Sequence, residues 1–256
     1  MEKYKTIDFS RFSSIKIGPK IKVKIIDENN YNGEFLIGNA TNTLVSPNAK
    51  NLGILDEKYD FIEYKNGILK VGGKTKNRKL YRFAKEHNLG GFEFLAHLPG
   101  TVGGSVKMNA GVKEEEISNN LLALKTDKIR EKKEFNFSYR HSDIKDPVFE
   151  ALFEIKRDYD PALDIKLKNM RKNQPSLPSL GSVFKNPKGD YAGRLIEAVG
   201  MKGMVKGGIM VSDIHANFFV NTGGGSFEDM LYLINLAKKR VFETFGITLE
   251  EEIKIL

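Results

Sequence analysis

A hydroxyl, a cation and an amide stand close together in GSVFKNP, as Ser182, Lys185 and Asn186. A serine can deliver a proton to a developing carbanion, a lysine can neutralise an anion, and an amide can both donate and accept. Gly181 and Pro187 flank them, so the backbone turns on both sides. The structural alternative is an ordinary turn, since Gly-Ser and Asn-Pro are common turn pairs. A second cluster is FLAHLPGTVGGSVKMNAG, residues 94–111, with Gly100, Gly103, Gly104 and Gly111 behind Pro99. Each glycine costs backbone entropy, so this density reads as a cradle in which backbone closely approaches a dinucleotide pyrophosphate. The spacing is not Gly-x-Gly-x-x-Gly, and no βαβ unit with a ribose-binding acid follows, which disfavours a Rossmann fold. A third small-residue turn, GNATNTLV (38–45), follows a strand pattern and could also approach a phosphate. Tyr139 and Arg140 lie in FNFSYRHSDI, where a surface arginine in a turn is the plain alternative. The chain closes on ITLEEEIKIL, whose alternation sets Ile247, Leu249, Glu251 and Ile253 on one face and Thr248, Glu250, Glu252 and Lys254 on the other.

Short strands and amphipathic helices must position these groups. IKVKII (21–26), EFLIG (34–38), ILKVGG (68–73) and VFEALFEI (148–155) read as strands. NRKLYRFAKEHNLGG (77–91) reads as a helix capped by Asn77 and ended at Gly90. A helix over 160–175 has Asp160 as cap and Pro161 in its first turn. After Asn186-Pro187, Asp190 is expected to cap a helix carrying Ala192, Leu195, Ile196 and Val199 inward, with Gly200 as its C-terminal left-handed residue. GGIMVSDIHANFFVN (207–221) gives two strands around a loop with His215. SFEDMLYLINLAKKRVFETFG (226–246) gives a long helix with a capping box at Ser226 and Asp229.

At 256 residues the chain holds one large domain or two to three small ones. A 40% hydrophobic fraction with 29% charged residues is that of a soluble globular protein. There is no cysteine, which excludes disulfides, thiolate catalysis and Cys-ligated metal. His87, His97, His141 and His215 have no metal-ligand spacing, so no metal is expected. No apolar run reaches the roughly 18 residues of a span, and the N-terminus lacks a signal-type apolar core; a cytoplasmic protein is expected. The net charge of +8 is dispersed, its densest cluster (Lys125–Lys133) being broken by Asp127 and Glu131. That reads as a solvated face and suits an anionic small substrate rather than nucleic acid.

GSVFKNP with AGRLIEAVG, PGTVGG with NAG, and YRHS together resemble the signatures of the UDP-N-acetylenolpyruvoylglucosamine reductase (MurB) family. The resemblance runs over nearly the whole chain. It implies an α+β protein: a two-part FAD-binding region of the vanillyl-alcohol-oxidase/PCMH type over 1–58 and 59–157, then an α+β substrate-binding domain over 158–256. It implies non-covalent FAD, with NADPH as reductant and a UDP-sugar enolpyruvyl ether as substrate, in peptidoglycan synthesis. Gly38, Asn39, Ala40, Thr41 and Asn42 would touch the flavin pyrophosphate, Ala40 and Thr41 departing from the family's Gly-x-Gly-Ser-Asn. Pro99, Gly100, Thr101, Gly103, Gly104, Asn109, Ala110 and Gly111 would line the cofactor. KEEEI then replaces the family's aromatic-Gly. Ser182 would be the proton donor, with Arg140 and Glu252 catalytic and Tyr139, Lys185 and Asn186 binding substrate. The short chain points to the smaller subtype; a monomer is expected. Two other readings stay open: a flavin oxidoreductase of the same fold acting on alcohols or sugars, and a basic nucleic-acid-binding protein without cofactor.

Overall fold

The structure is a computed structural model that describes residues 2–256. Its contacts group the chain into two units. The first contains Val23–Gly38 and Asn51–Lys172 with the N-terminal residues up to Lys5; the second contains Thr6–Lys22, Asn39–Lys50 and Asn173–Leu256.

In the first unit, period-two alternation builds an antiparallel sheet. Its strand order is Ile129–Glu131, Leu121–Lys125, Glu150–Glu154, Ile68–Gly72, Ile62–Lys65. Leu69 and Val71 are fully buried while Ile68 is exposed, so one face carries the core. Leu80 and Ala84 of the helix Asn77–Glu86, and Val102 and Val106 of the helix Val102–Met108, belong to that core. Within this unit Leu52–Leu55 pairs in parallel with both Lys20–Ile26 and Phe35–Leu36.

Several expected elements are shorter than the sequence suggests. The 34–38 strand narrows to Phe35–Leu36, and the 77–91 helix stops at Glu86. Asn77 does not cap that helix: it is buried and donates through Nδ2 to Leu98 O and Ser105 Oγ. Nor does Gly90 end it. A Cβ there would come within 2.1 Å of Asp158 O, so this glycine is required by a close backbone approach. The helix Pro161–Met170 starts as expected, with Asp160 accepting from Ala162 and Leu163 N–H.

The second unit has an antiparallel sheet in the order Ser179–Ser182, Phe218–Asn221, Ile209–Val211, Val205–Lys206. The helices Ala192–Ala198 and Phe227–Phe245 share its core through Leu195, Ile196, Met230, Ile234, Ala237 and Val241. The long helix has the expected reciprocal bonds between Ser226 and Asp229 and ends on Gly246 in the left-handed region. Ile15, Ile17 and Leu44 are buried in the same core, which is why two stretches from the start of the chain belong to this unit. Thr43–Leu44 pairs in parallel with Lys254–Ile255. Among the described residues, no helix is long and apolar enough to cross a membrane.

Candidate functional site

In the first unit the glycine loop is shaped largely by the protein's own backbone. Gly100 has φ +124. A Cβ on Gly103 would meet Gly73 O at 2.9 Å and Val148 O at 3.2 Å, and one on Gly111 would meet Glu115 O at 2.3 Å. These three glycines are therefore explained without a ligand. The amides of Val102 and Gly103 already donate to Thr75 and Gly73 oxygens, and that of Gly104 to Thr101 Oγ1. The expectation of a glycine cradle dictated by a pyrophosphate is corrected to this extent. Gly104 alone lacks such a reason: it is exposed, its φ is ordinary, and an added Cβ would find only Thr101 Oγ1 at 3.4 Å. Gly38, at φ +49, packs against the same Thr101 hydroxyl.

The buried polar inventory also points to this loop. Among the described residues two buried side-chain oxygens lack a hydrogen-bond partner, Asn77 Oδ1 and Asn109 Oδ1. An unmatched buried acceptor costs about 1–3 kcal/mol. Asn109 ends the helix Val102–Met108 in the left-handed conformation, and both donors of its amide are spent, on Glu116 Oε2 (2.7 Å) and Ser138 O (3.0 Å). Asn77 starts the neighbouring helix and Asn109 lies on the loop, both fully buried, so the open position of the loop is the exposed, uncrowded Gly104. Pro99 is exposed, Thr101 buried and Ala110 half-buried on this loop.

Arg140 lies in the turn between Phe137–Ser138 and His141–Ser142, with φ +54. Its Nη2 donates to Gly111 O at 2.7 Å, its Nη1 lies 3.8 Å from Glu116 Oε1, and its guanidinium stacks 4.9 Å from the exposed Tyr139 ring. Burial, and then the like charge of Arg140, push the Arg171 guanidinium down. The turn therefore concentrates positive charge that suits a carboxylate or phosphate. Ser142, fixed by the bond of its Oγ to Lys107 O, anchors the hairpin.

In the second unit, Ser182 ends a strand whose register breaks between Ser179 and Ser182, opposite Val220 and Phe218. Gly181, at φ +80, supplies the irregularity, and such bulges re-aim a side chain. The Ser182 hydroxyl is half-buried and hydrogen-bonds to no described residue. The next residues are clamped from two sides. Asn217 O accepts from Val183 N–H, while the Asn217 side chain accepts from Phe184 N–H (3.0 Å) and donates to Phe184 O (2.8 Å). On the other side Glu252 N–H donates to Val183 O (2.8 Å) and Lys185 N–H to Glu250 O (2.9 Å). Asn42 then fastens the tail by donating to Glu252 O (3.0 Å) and accepting from Lys254 N–H. Asn42, Ser182 and Glu252 are thus brought to one place by main-chain pairing.

Asn39 and Thr41 are half-buried, and Thr41 O accepts from Ser14 Oγ. Ala40 is buried at φ +48, keeping a conformation that favours glycine. Lys185 forms an ion pair with Glu250. Asn186 is the functional surprise of the segment: its Oδ1 accepts from Ala192 N–H and so caps the helix Ala192–Ala198. Asp190, expected in that role, accepts instead from Tyr191 N–H and pairs with Arg194, which holds its carboxyl down at about 2. His215 is a packing residue. Its Nδ1 accepts from Asn217 N–H, it lies against Phe218, and burial pushes its imidazole below its usual value. Sequence reasoning missed Glu116, for which the acid run after the glycine loop was the available signal. It also missed Asn217, which leaves no signal in composition or spacing.

Comparison with known proteins agrees with these motifs. The family description "UDP-N-acetylenolpyruvoylglucosamine reductase, C-terminal domain" matches residues 173–256. The chain is 51% identical to the UDP-N-acetylenolpyruvoylglucosamine reductase of Campylobacter jejuni strain RM1221, over 98% of this chain and 99% of that protein. It is 44% identical to the same-named protein of Helicobacter pylori strain J99, over 98% of each. The crystal structure of UDP-N-acetylenolpyruvylglucosamine reductase (MurB) from Thermus caldophilus superimposes with a TM-score of 0.87 at 27% identity, covering 100% of this chain and 99% of that one. With its α+β architecture and near-complete coverage by such relatives, the chain belongs to the UDP-N-acetylenolpyruvoylglucosamine reductase (MurB) family of oxidoreductases.

Proposed function

We propose that this chain reduces the enolpyruvyl ether of UDP-N-acetylglucosamine enolpyruvate to the lactyl ether of UDP-N-acetylmuramate, with FAD bound non-covalently and NADPH as reductant. The observation that carries the reading is the pairing of Glu252 N–H with Val183 O, directly after Ser182. It sets the main chains of Ser182 and Glu252 one residue out of register on a fixed ladder, which supports a shared role for the two. Asn109, Gly104, Thr101, Gly38 and the turn through Asn42 are the groups we assign to the cofactor, in an FAD-binding region of the vanillyl-alcohol-oxidase type. Bound there and first reduced by NADPH, the flavin would supply a hydride to the enolpyruvyl double bond.

The protein's own groups do the rest. Arg140 would hold the enolpyruvyl carboxylate and stabilise the negative charge that develops when hydride reaches the terminal carbon. Its guanidinium is pre-oriented by Gly111 O, so little ordering remains to be done on binding. Ser182 would give its proton to the neighbouring carbon, completing the saturated ether. A serine is a weak acid, so this transfer depends on the carbanion character of its acceptor. Glu252 would polarise the same centre, and Tyr139, Lys185 and Asn186 would face the rest of the substrate.

The test is direct. FAD should turn the protein yellow and come free on denaturation, and beyond the single equivalent that reduces bound FAD the loaded protein should turn over NADPH only when the enolpyruvyl sugar nucleotide is present. A protein that takes up no FAD contradicts the proposal, as does one that oxidises alcohols or sugars instead.

A further inference from the structure

The carboxylate of Glu116 is engaged with two groups of the first unit. Its Oε2 accepts from Asn109 Nδ2 at 2.7 Å, and its Oε1 lies 3.8 Å from Arg140 Nη1. It sits on a two-residue strand, Glu115–Glu116, paired with Gly111–Val112, the end of the glycine loop. We propose that Glu116 is a positioning residue that sets both the amide pinning the glycine loop and the carboxylate-binding guanidinium. The proposal deepens the functional reading above and rests on it for the identity of the ligands.

An amide has two donors on nitrogen and its acceptor on oxygen. With Nδ2 bound to the Glu116 carboxylate and Ser138 O, the Asn109 amide has one allowed orientation. Turning it over would set its oxygen against two other oxygens. The orientation leaves Oδ1 buried and without a partner in the protein. The amide therefore ties the end of the glycine-loop helix to the strand of Glu116 and to the hairpin at Ser138. Asn109 is only 1% exposed, so water does not substitute freely. Toward Arg140 the same carboxylate acts by charge. At 3.8 Å it attracts the guanidinium without a short hydrogen bond, while Gly111 O fixes Nη2. The glycine at 111 is part of the device, because a Cβ there would collide with Glu116 Cγ at 2.8 Å.

Two variants separate the roles. Glu116→Gln keeps an acceptor for Asn109 and removes the charge facing Arg140. Glu116→Ala removes both. In flavin-free, 15N-labelled protein, the Asn109 side-chain amide protons should stay protected from solvent exchange in wild type and Glu116→Gln and lose protection in Glu116→Ala. FAD titration should give an affinity within about threefold of wild type for Glu116→Gln and at least about tenfold weaker for Glu116→Ala. Glu116→Gln should raise the KM for the enolpyruvyl sugar nucleotide about tenfold while leaving flavin reduction by NADPH unchanged. The proposal is overturned if Glu116→Ala keeps the Asn109 protection, or if Glu116→Gln weakens FAD as much as Glu116→Ala and leaves that KM alone. A wild-type chain that takes up no FAD would defeat the functional reading instead, and the exchange comparison in flavin-free protein would still decide the positioning role.

Discussion

Gly103 and Gly111 in the first unit are fixed by backbone atoms that leave no room for a side chain, whereas Val183 and Phe184 after Ser182 in the second are held by side-chain amides and a paired tail. The first arrangement is one of exclusion: a methyl group at Gly111 would sit 2.3 Å from Glu115 O. The second is one of substitution, in which Asn217 imitates a neighbouring strand by offering one acceptor and one donor to Phe184. The contrast teaches where each part can be altered. A loop built by exclusion tolerates change only where it has space, and a strand held by side-chain amides can be loosened one hydrogen bond at a time.

Breaking the exclusion should have the largest effect on stability. Gly111→Ala is expected to cost on the order of 3 kcal/mol, because the colliding atom is backbone and cannot rotate away; urea unfolding measures it. Asn217→Ala should cost about 2 kcal/mol, since it strands the Phe184 N–H and C=O without partners. It should also slow substrate reduction more than flavin reduction by NADPH, which a wild-type ratio of the two would refute. Gly104→Ala should go the other way in stability, gaining roughly 0.5–1 kcal/mol as a helical glycine replaced in open space. The same methyl group should weaken FAD binding, and an unchanged flavin affinity would remove Gly104 from the cofactor surface. The smallest effect should be electrostatic. The Asp190 carboxyl lies at about 2 in the folded protein, lowered first by Arg194 and then by Tyr191 N–H. Its contribution to stability is present above its unfolded value near 4 and is lost as pH falls toward 2. The difference in urea midpoint between wild type and Asp190→Asn should therefore shrink between pH 5 and pH 2.

Much of this was legible from residue types. The capping box of Ser226 and Asp229 and the alternation of the C-terminal tail follow from local patterns that tertiary contacts reinforce. The failures have one physical theme. Asn77, Asp190 and Gly90 have the chemistry of caps, but Asn77 is drawn inward by Ser105, Asp190 by Arg194, and Gly90 is needed for a close backbone approach. Distant partners decided Asn77 and Gly90, which no window of sequence contains, while Asp190 is taken up by Arg194 one helical turn on. The density of glycines after Pro99 was read as a ligand cradle, yet three of the four are explained by the protein's own backbone. Asn217 acts through Phe184, far along the chain, and gave no local signal, whereas Glu116, seven residues from Asn109, was marked only by the acid run it lies in.

The measurement that bears most directly on the proposed chemistry is stopped-flow of both half-reactions in Ser182→Ala. Removing one half-buried hydroxyl with no described hydrogen-bond partner should leave stability within about 1 kcal/mol of wild type. Reduction of FAD by NADPH requires no proton donor at the substrate and should keep its wild-type rate. Reoxidation by the enolpyruvyl sugar nucleotide should slow by about 10²–10⁴-fold, the usual cost of losing a positioned acid. Equal slowing of both half-reactions, or no slowing of either, would contradict the assignment of Ser182 as the proton donor.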